Sequence, residues 1–223
     1  MSNDKDIHAL ETIDELVNYN NYIYRKITKD IKSGENLDFG CGFGNFIKFA
    51  NSKKLNFIGY EINPTAKQNL VKKEIPFLNN LEKGYKYDNI VSINVLEHIE
   101  KDNEIFEQFN TMLKTKGKLI LYLPHSMRLW TDLDELANHK RRYTKTELVS
   151  KLDIAGFHVE KVEYVDFIGA VVLFIFKLIK ITPSYNKNRL IFYDKTIFKF
   201  FKYIDLATKY FFGKNILVIA SLK

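Results

Sequence analysis

Residues 37–44 read Leu-Asp-Phe-Gly-Cys-Gly-Phe-Gly, and seventeen residues past Gly44 stands Glu61 in Phe-Ile-Gly-Tyr-Glu-Ile. An apolar strand that runs into a glycine turn lets a bulky polar ligand lie against bare backbone. Gly40, Gly42 and Gly44 place no Cβ in its way, and they permit positive φ. A carboxylate at the tip of the next strand then suits the two hydroxyls of a sugar. The spacing differs from the dinucleotide fingerprint G-x-G-x-x-G, whose third glycine would fall on Asn45. The form here is D-x-G-x-G-x-G, led by Asp38. An acid at that place repels a pyrophosphate and suits a ligand that carries an amino group.

Working outward, the apolar periodicity predicts a helical region over 8–32, with Leu10, Ile13, Leu16 and Val17 on one stripe and Ile23, Ile27 and Ile31 on another. Strands are predicted over 36–39, 56–61, 75–78, 87–94, 118–123, 157–164 and 215–222. Helices fall between them over 44–53, from Pro64 to 73, over 102–113 and over 146–155. This alternation predicts an α/β fold, a Rossmann-like, seven-stranded, mostly parallel sheet with helices on both faces; an antiparallel C-terminal strand is a further expectation that alternation does not supply. The whole chain, 1–223, reads as one domain. Residues 1–34 form N-terminal helices, 35–123 the ligand-binding core and 215–223 the last strand. Residues 124–145, expected to be rich in helix, and 165–214 interrupt the alternation, as insertions that cover the ligand side of such sheets do.

Composition narrows the class. At 223 residues with 46% hydrophobic and 14% aromatic content, the chain is long and apolar enough for a full core. Its net charge of +7 comes from scattered lysines, which read first as a solvated surface. One cysteine, Cys41, excludes an intramolecular disulfide and fits a reducing cytoplasm. The N-terminal Met-Ser-Asn-Asp-Lys-Asp carries no apolar signal segment. A cytoplasmic protein, at most peripheral to the inner face of a membrane, is the expectation. No H-E-x-x-H or C-x-x-C spacing occurs, so no metal centre is expected, and no G-x-x-x-x-G-K-[ST] loop offers a seat for ATP.

The fourth strand and its exit read Tyr-Asp-Asn-Ile-Val-Ser-Ile-Asn-Val-Leu-Glu-His-Ile over 87–99. With the glycine turn and Glu61, this segment resembles the class I S-adenosylmethionine-dependent methyltransferases over most of 16–165 and the final strand. The resemblance implies S-adenosylmethionine as cofactor, held by Asp38, Phe39, Gly40, Gly42, Gly44, Glu61 and Ile62. It also implies that Asn94, Val95 and Leu96 line the methionine half, although core packing is the plain alternative for Val95 and Leu96. It places Asn80 and Leu81 against the adenine, and Tyr19, with Tyr22 beside it, near the methionine carboxylate or in the core. Glu97 and His98 are expected to begin a helix, where an acid favours the N-terminal dipole.

A second segment, His139-Lys-Arg-Arg-Tyr-Thr, is similar to the GHxRRY stretch of a subgroup linked to surface-glycan pathways, with Asn138 in place of the usual glycine. Arg141, Arg142, Tyr143 and the preceding Trp130 are the candidate acceptor-binding residues, suited to a phosphate or carboxylate. The alternative is that the arginines pair with acids and Tyr143 packs. His139, His125 and His98 are the candidate general bases for an acceptor hydroxyl. The expected acceptor is a small molecule or a glycan- or lipid-linked group, methylated on oxygen. An RNA methyltransferase, a nicotinamide oxidoreductase and a non-catalytic cofactor binder are the other readings. The apolar run 167–176 and the basic aromatic stretch 195–212 read either as a cover over the site or a dimer face, or as a membrane-surface helix.

Overall fold

The computed structural model describes residues 14–31, 33–179 and 187–223. Leu10, Ile13, Lys180 and Pro183 therefore lie outside the described residues. Seven strands form one sheet in the order β3-β2-β1-β4-β5-β7-β6, where β1 is Asn36–Phe39, β2 Phe57–Tyr60, β3 Phe77–Leu78, β4 Tyr87–Ile93, β5 Leu113–Pro124, β6 Phe157–Val165 and β7 Asn215–Leu222. Strands β1 to β5 pair in parallel, and β7 runs antiparallel between β5 and β6. The expected sheet and its reversed last strand are both present.

The helices are α1 Val17–Thr28, α2 Asn45–Ser52, α3 Pro64–Lys72, α4 Asp102–Met112, α5 Asp132–Leu136, α6 Lys145–Ile154, α7 Phe167–Leu178, α8 Lys187–Phe192 and α9 Phe198–Thr208. Their starts follow side-chain chemistry. Asn63 accepts the amides of Thr65 and Ala66 ahead of Pro64, and Thr144 accepts the amide of Glu147. More distant carboxylates do the same work at two other helices. Asp194 takes the amides of Asn18 and Tyr19 at the start of α1, and Asp205 takes those of Asp166 and Phe167 at the start of α7. These contacts clamp the C-terminal helices to the N-terminal one.

Both faces of the sheet are apolar, as a sheet with helices on each side requires. In β5, Leu119, Leu121 and Leu123 enter one core, with Phe106, Phe109 and Leu148, while Ile120 and Tyr122 enter the other, with Ile23, Ile27 and Phe46. This is strand periodicity at work.

Four expectations need correction. β5 starts at Leu113, directly where α4 ends, because residues 113–117 already lie in extended backbone beside β4. The segment 124–145 holds only a 3₁₀ turn, Met127–Leu129, and the five-residue α5, so it is mostly loop. Glu97 and His98 lie on a 3₁₀ turn, Leu96–His98, that is separate from α4. The stretch 195–212 is not one helix, since a π-helical turn, Tyr193–Ile197, precedes α9.

Candidate active site

Strand order reverses between β1 and β4: β2 and β3 lie to one side of β1, and β5 to the other side of β4. At such a point the loops beyond the strand ends part and leave a crevice. The glycine turn leaves β1 there. Gly40 has φ +77°, and a Cβ on it would stand 2.5 Å from Cγ2 of Val95, on the loop leaving β4. Gly44 caps α2 with φ +76°, where a Cβ would strike Ile75 and Leu70. Side chains at these places are excluded by backbone conformation and by space together.

Glu61 closes the turn from the side. Its Oε2 accepts the Gly42 amide at 2.8 Å, and its Oε1 accepts the amides of Ile62 and Asn63 at 2.8 and 2.7 Å. The carboxylate of Glu61 is buried yet directed at the bend, as the sequence requires of it. Asp38, at the end of β1, is buried beside it. Burial, and then the negative charge of Glu61, pushes the Asp38 carboxyl up to about 8. Two buried acids against exposed backbone amides form a place that a cation would relieve.

The remaining cofactor candidates separate into three groups. Val95 covers Gly40, and Asn94, with φ +51°, donates its amide to the Tyr122 carbonyl, so both flank the bend. Ile62 is 71% exposed, and Asn80 and Leu81 lie just past β3, on the β2–β3 side of the sheet. Phe39 and Leu96 have side chains in the core; Phe39 packs on Tyr60 and Phe109. The Tyr19 hydroxyl is engaged by the Tyr122 hydroxyl at 3.0 Å and by Asn215 Nδ2 at 2.9 Å, which places Tyr19 in a buried polar network.

Past Val95, the chain builds a second cluster. Glu97 is 0% exposed, and neither carboxylate oxygen has a hydrogen-bond partner among the described residues. Burial pushes its carboxyl up to about 7, with the positive charge of a protonated His139 acting the other way. His139 Nε2 lies 3.9 Å from Glu97 Oε1, and its ring meets that of His98 edge-on at 4.8 Å between centroids. His139 Nδ1 is 2.8 Å from Asp134 Oδ1. Asp134 in turn accepts Nε and Nη2 of Arg142 at 2.7 and 3.0 Å and the Thr131 amide at 2.9 Å. The Lys140 amide donates to the Glu97 carbonyl at 2.7 Å and ties the two segments together. The dipole reading of Glu97 thus gives way to a buried acid at the centre of a site.

The GHxRRY-like segment therefore serves the site differently from expectation. Arg142 is buried against Asp134 and unavailable to an acceptor anion. Arg141 pairs with Asp102 at 2.8 Å and donates to the Glu100 carbonyl. Tyr143 is fully buried, its hydroxyl donating to Asp102 and to the Leu96 carbonyl. Trp130 is half-buried, with its indole N–H towards Glu135. His125 is buried between Tyr164 and Phe212 rather than set at a mouth; its Nδ1 donates to the Gly213 carbonyl at 3.0 Å, and burial lowers its pKa. Of the three histidines, His98 and His139 come together and His125 stands apart. Asp134, Asp102 and Glu97 are buried acids whose partners spacing alone did not give; the cue was their nearness in sequence to His139 and His98.

The fold and the two acids beside the glycine turn define a Rossmann-like protein with a ligand crevice at the switch between β1 and β4. Residues 12–162 match the family model described as Methyltransferase domain, and the chain belongs to that family. It is 28% identical over 197 residues to an uncharacterized protein of Methanocaldococcus jannaschii, covering 81% of each chain. Its fold is shared by a Haloferax volcanii protein solved in complex with the Trm112 methyltransferase activator (TM-score 0.69, 14% identity, 100% and 99% of the two chains covered). A Thermotoga maritima S-adenosylmethionine-dependent methyltransferase is similar too (TM-score 0.64, 16% identity, 97% and 96% covered). The residues present fit that cofactor: Gly40, Gly42 and Gly44 hold the turn at positive φ, and Asp38 and Glu61 bring two buried acids to it.

Proposed function

We propose that this chain methylates an oxygen of a small or glycan- or lipid-linked acceptor, using S-adenosylmethionine. The observation that carries the reading is the buried Glu61 carboxylate accepting the Gly42 amide, beside the buried Asp38, at the turn that leaves β1. When bound, the cofactor supplies a methyl group made electrophilic by its sulfonium. Glu61 receives the ribose. A carboxylate has about four acceptor positions, and backbone amides occupy three of them here. The position that remains would accept a ribose hydroxyl. Asp38 faces the ammonium of the methionine end.

Transfer at carbon is an in-line displacement, so the protein acts chiefly by alignment, worth roughly 7–11 kcal/mol in favourable cases. Oxygen is favoured over nitrogen by the buried Glu97–His139 pair, which is placed to hold the proton of an acceptor hydroxyl. The test has two parts. Calorimetry should show stoichiometric binding of S-adenosylhomocysteine, and a labelled methyl donor should label hydroxyl-bearing acceptors in a panel. Binding without transfer to any acceptor class would favour the non-catalytic reading, and salt-sensitive transfer to RNA would favour the nucleic-acid one.

Peripheral contact with an anionic membrane face is supported by a specific observation. No helix among the described residues is long and apolar enough to cross a membrane. Yet α7 exposes Phe174, Ile175 and Leu178 beside Lys177, and α9 with its exit exposes Phe200, Tyr210 and Phe211 near Lys209. These faces point outward, which is not how a cover folded onto the site would arrange them.

A further inference from the structure

We propose that Glu97, His98 and His139 bind one divalent transition-metal ion of the zinc class, with a coordination position left for an acceptor oxygen. The site stands on its own geometry; its role towards the acceptor rests on the methyltransferase reading above. Local spacing gave no hint of it, because the ligands come from two segments far apart in the chain.

The three side chains each offer a ligand atom, and these atoms lie within 4.8 Å of one another. An unpaired carboxylate at 0% exposure is expensive to keep in a protein interior. It points into this cluster, since its Oε1 is the atom 3.9 Å from His139 Nε2. That gap is too long for a hydrogen bond. It is slightly wider than the separation of about 3.4 Å between two ligand atoms of tetrahedral zinc with bonds of about 2.0–2.1 Å. The set spans up to 4.8 Å, so a bound ion would have to draw the three side chains together.

The orientation of His139 is the stronger point. Asp134 as a carboxylate only accepts, so His139 Nδ1 carries a proton, and in the neutral ring Nε2 would present its lone pair towards Glu97. Arg142 and the Thr131 amide fix Asp134 in turn. A carboxylate that orients a histidine from behind is the usual second layer of a metal site. Two imidazoles and one carboxylate form a donor set for zinc, cobalt, iron or manganese, and three protein ligands leave room for a fourth. The cluster follows Val95 by two residues, and Val95 packs on Gly40. An acceptor hydroxyl on the ion would thus sit beside the cofactor cradle. Its proton would be made more acidic there, and the Glu97 oxygen not bound to the ion would be the group to take it.

The test uses the full chain after dialysis against a chelator, titrated with Co2+ alone. The expected result is one equivalent bound, with visible d–d absorption, at an affinity that falls at least ~10-fold in His98→Ala and in His139→Ala. Asp134→Asn should weaken binding by roughly 10- to 100-fold, as loss of an outer-shell partner does. S-adenosylhomocysteine titration of the same variants reports folding, and it should be unchanged in His98→Ala. No Co2+ bound by the wild type, or wild-type affinity retained in both histidine variants, overturns the site. Metal bound as expected with no S-adenosylhomocysteine bound by the wild type would strike the cofactor reading and leave the metal site standing.

Discussion

Oε2 of Glu61 accepts the amide of Gly42 at 2.8 Å, so the acid at the tip of β2 and the bend after β1 act as one unit. The carboxylate sets the shape of the turn as well as serving a ligand. Replacing Glu61 by Gln keeps one acceptor but removes the charge. S-adenosylhomocysteine affinity should fall at least ~10-fold, about 1.4 kcal/mol, while Glu61→Ala should cost more and lower the melting temperature too. Equal affinity in Glu61→Ala would remove the acid from the site.

Asp38 gives the site a pH dependence with a defined sign. Its carboxyl lies near 3.9 in an unfolded chain and near 8 here. Between those values the native state keeps a proton that the unfolded chain has released, so this group's contribution to stability falls as pH rises from about 4 to about 8. A ligand ammonium favours the charged acid. Affinity for S-adenosylhomocysteine should therefore rise from pH 6 to 8, with proton release seen as a buffer-dependent enthalpy. Asp38→Asn should flatten that slope, weaken binding and raise the ligand-free melting temperature at pH 8. A slope unchanged in the variant would contradict this.

Arg142 and Asp134 share a buried, two-bonded pair. Removing one partner leaves the other charge uncompensated, at about 3–5 kcal/mol. Arg142→Met should lower the melting temperature by roughly 10 °C, whereas Arg141→Met, at a partly exposed position, should cost far less. A surface-like effect for Arg142→Met would return this arginine to the acceptor.

The outward faces of α7 and α9 should bind vesicles that contain anionic lipid and ignore neutral ones. Flotation should show salt-sensitive binding that weakens when Phe174 and Phe211 are both replaced by Ser. Equal recovery in the unbound fraction with both lipids would dismiss membrane contact.

Much of the scaffold could be read locally. β1 and β7 fall on their expected residues, and the helix begun at Pro64 does too, because strand alternation, capping side chains and proline act over a few residues. The glycine turn and Glu61 were legible for a similar reason: bare backbone and an acid at a strand tip are each fixed by their own short segment. The start of β5 was missed because Lys-Thr-Lys-Gly at 114–117 looks like a turn, and only the pairing of Leu113 with Tyr87 and of Lys118 with Asn89 carries the strand across that irregular stretch. His139, Arg142 and Tyr143 were all noticed as a motif, yet their roles depended on partners the motif does not contain.

By itself, then, the sequence determined the parallel sheet and the glycine bend, since each arises from periodicity or from residues close in the chain, whereas the sense of β7 is set by its pairing with β5 and β6. The tertiary structure decided which polar groups face one another. Arg142 turns to Asp134, Tyr143 to Asp102, and Glu97 meets His139 across the ends of distant segments. Charge pairing and burial act through space, and no spacing along the backbone encodes a contact that exists only after the chain has folded.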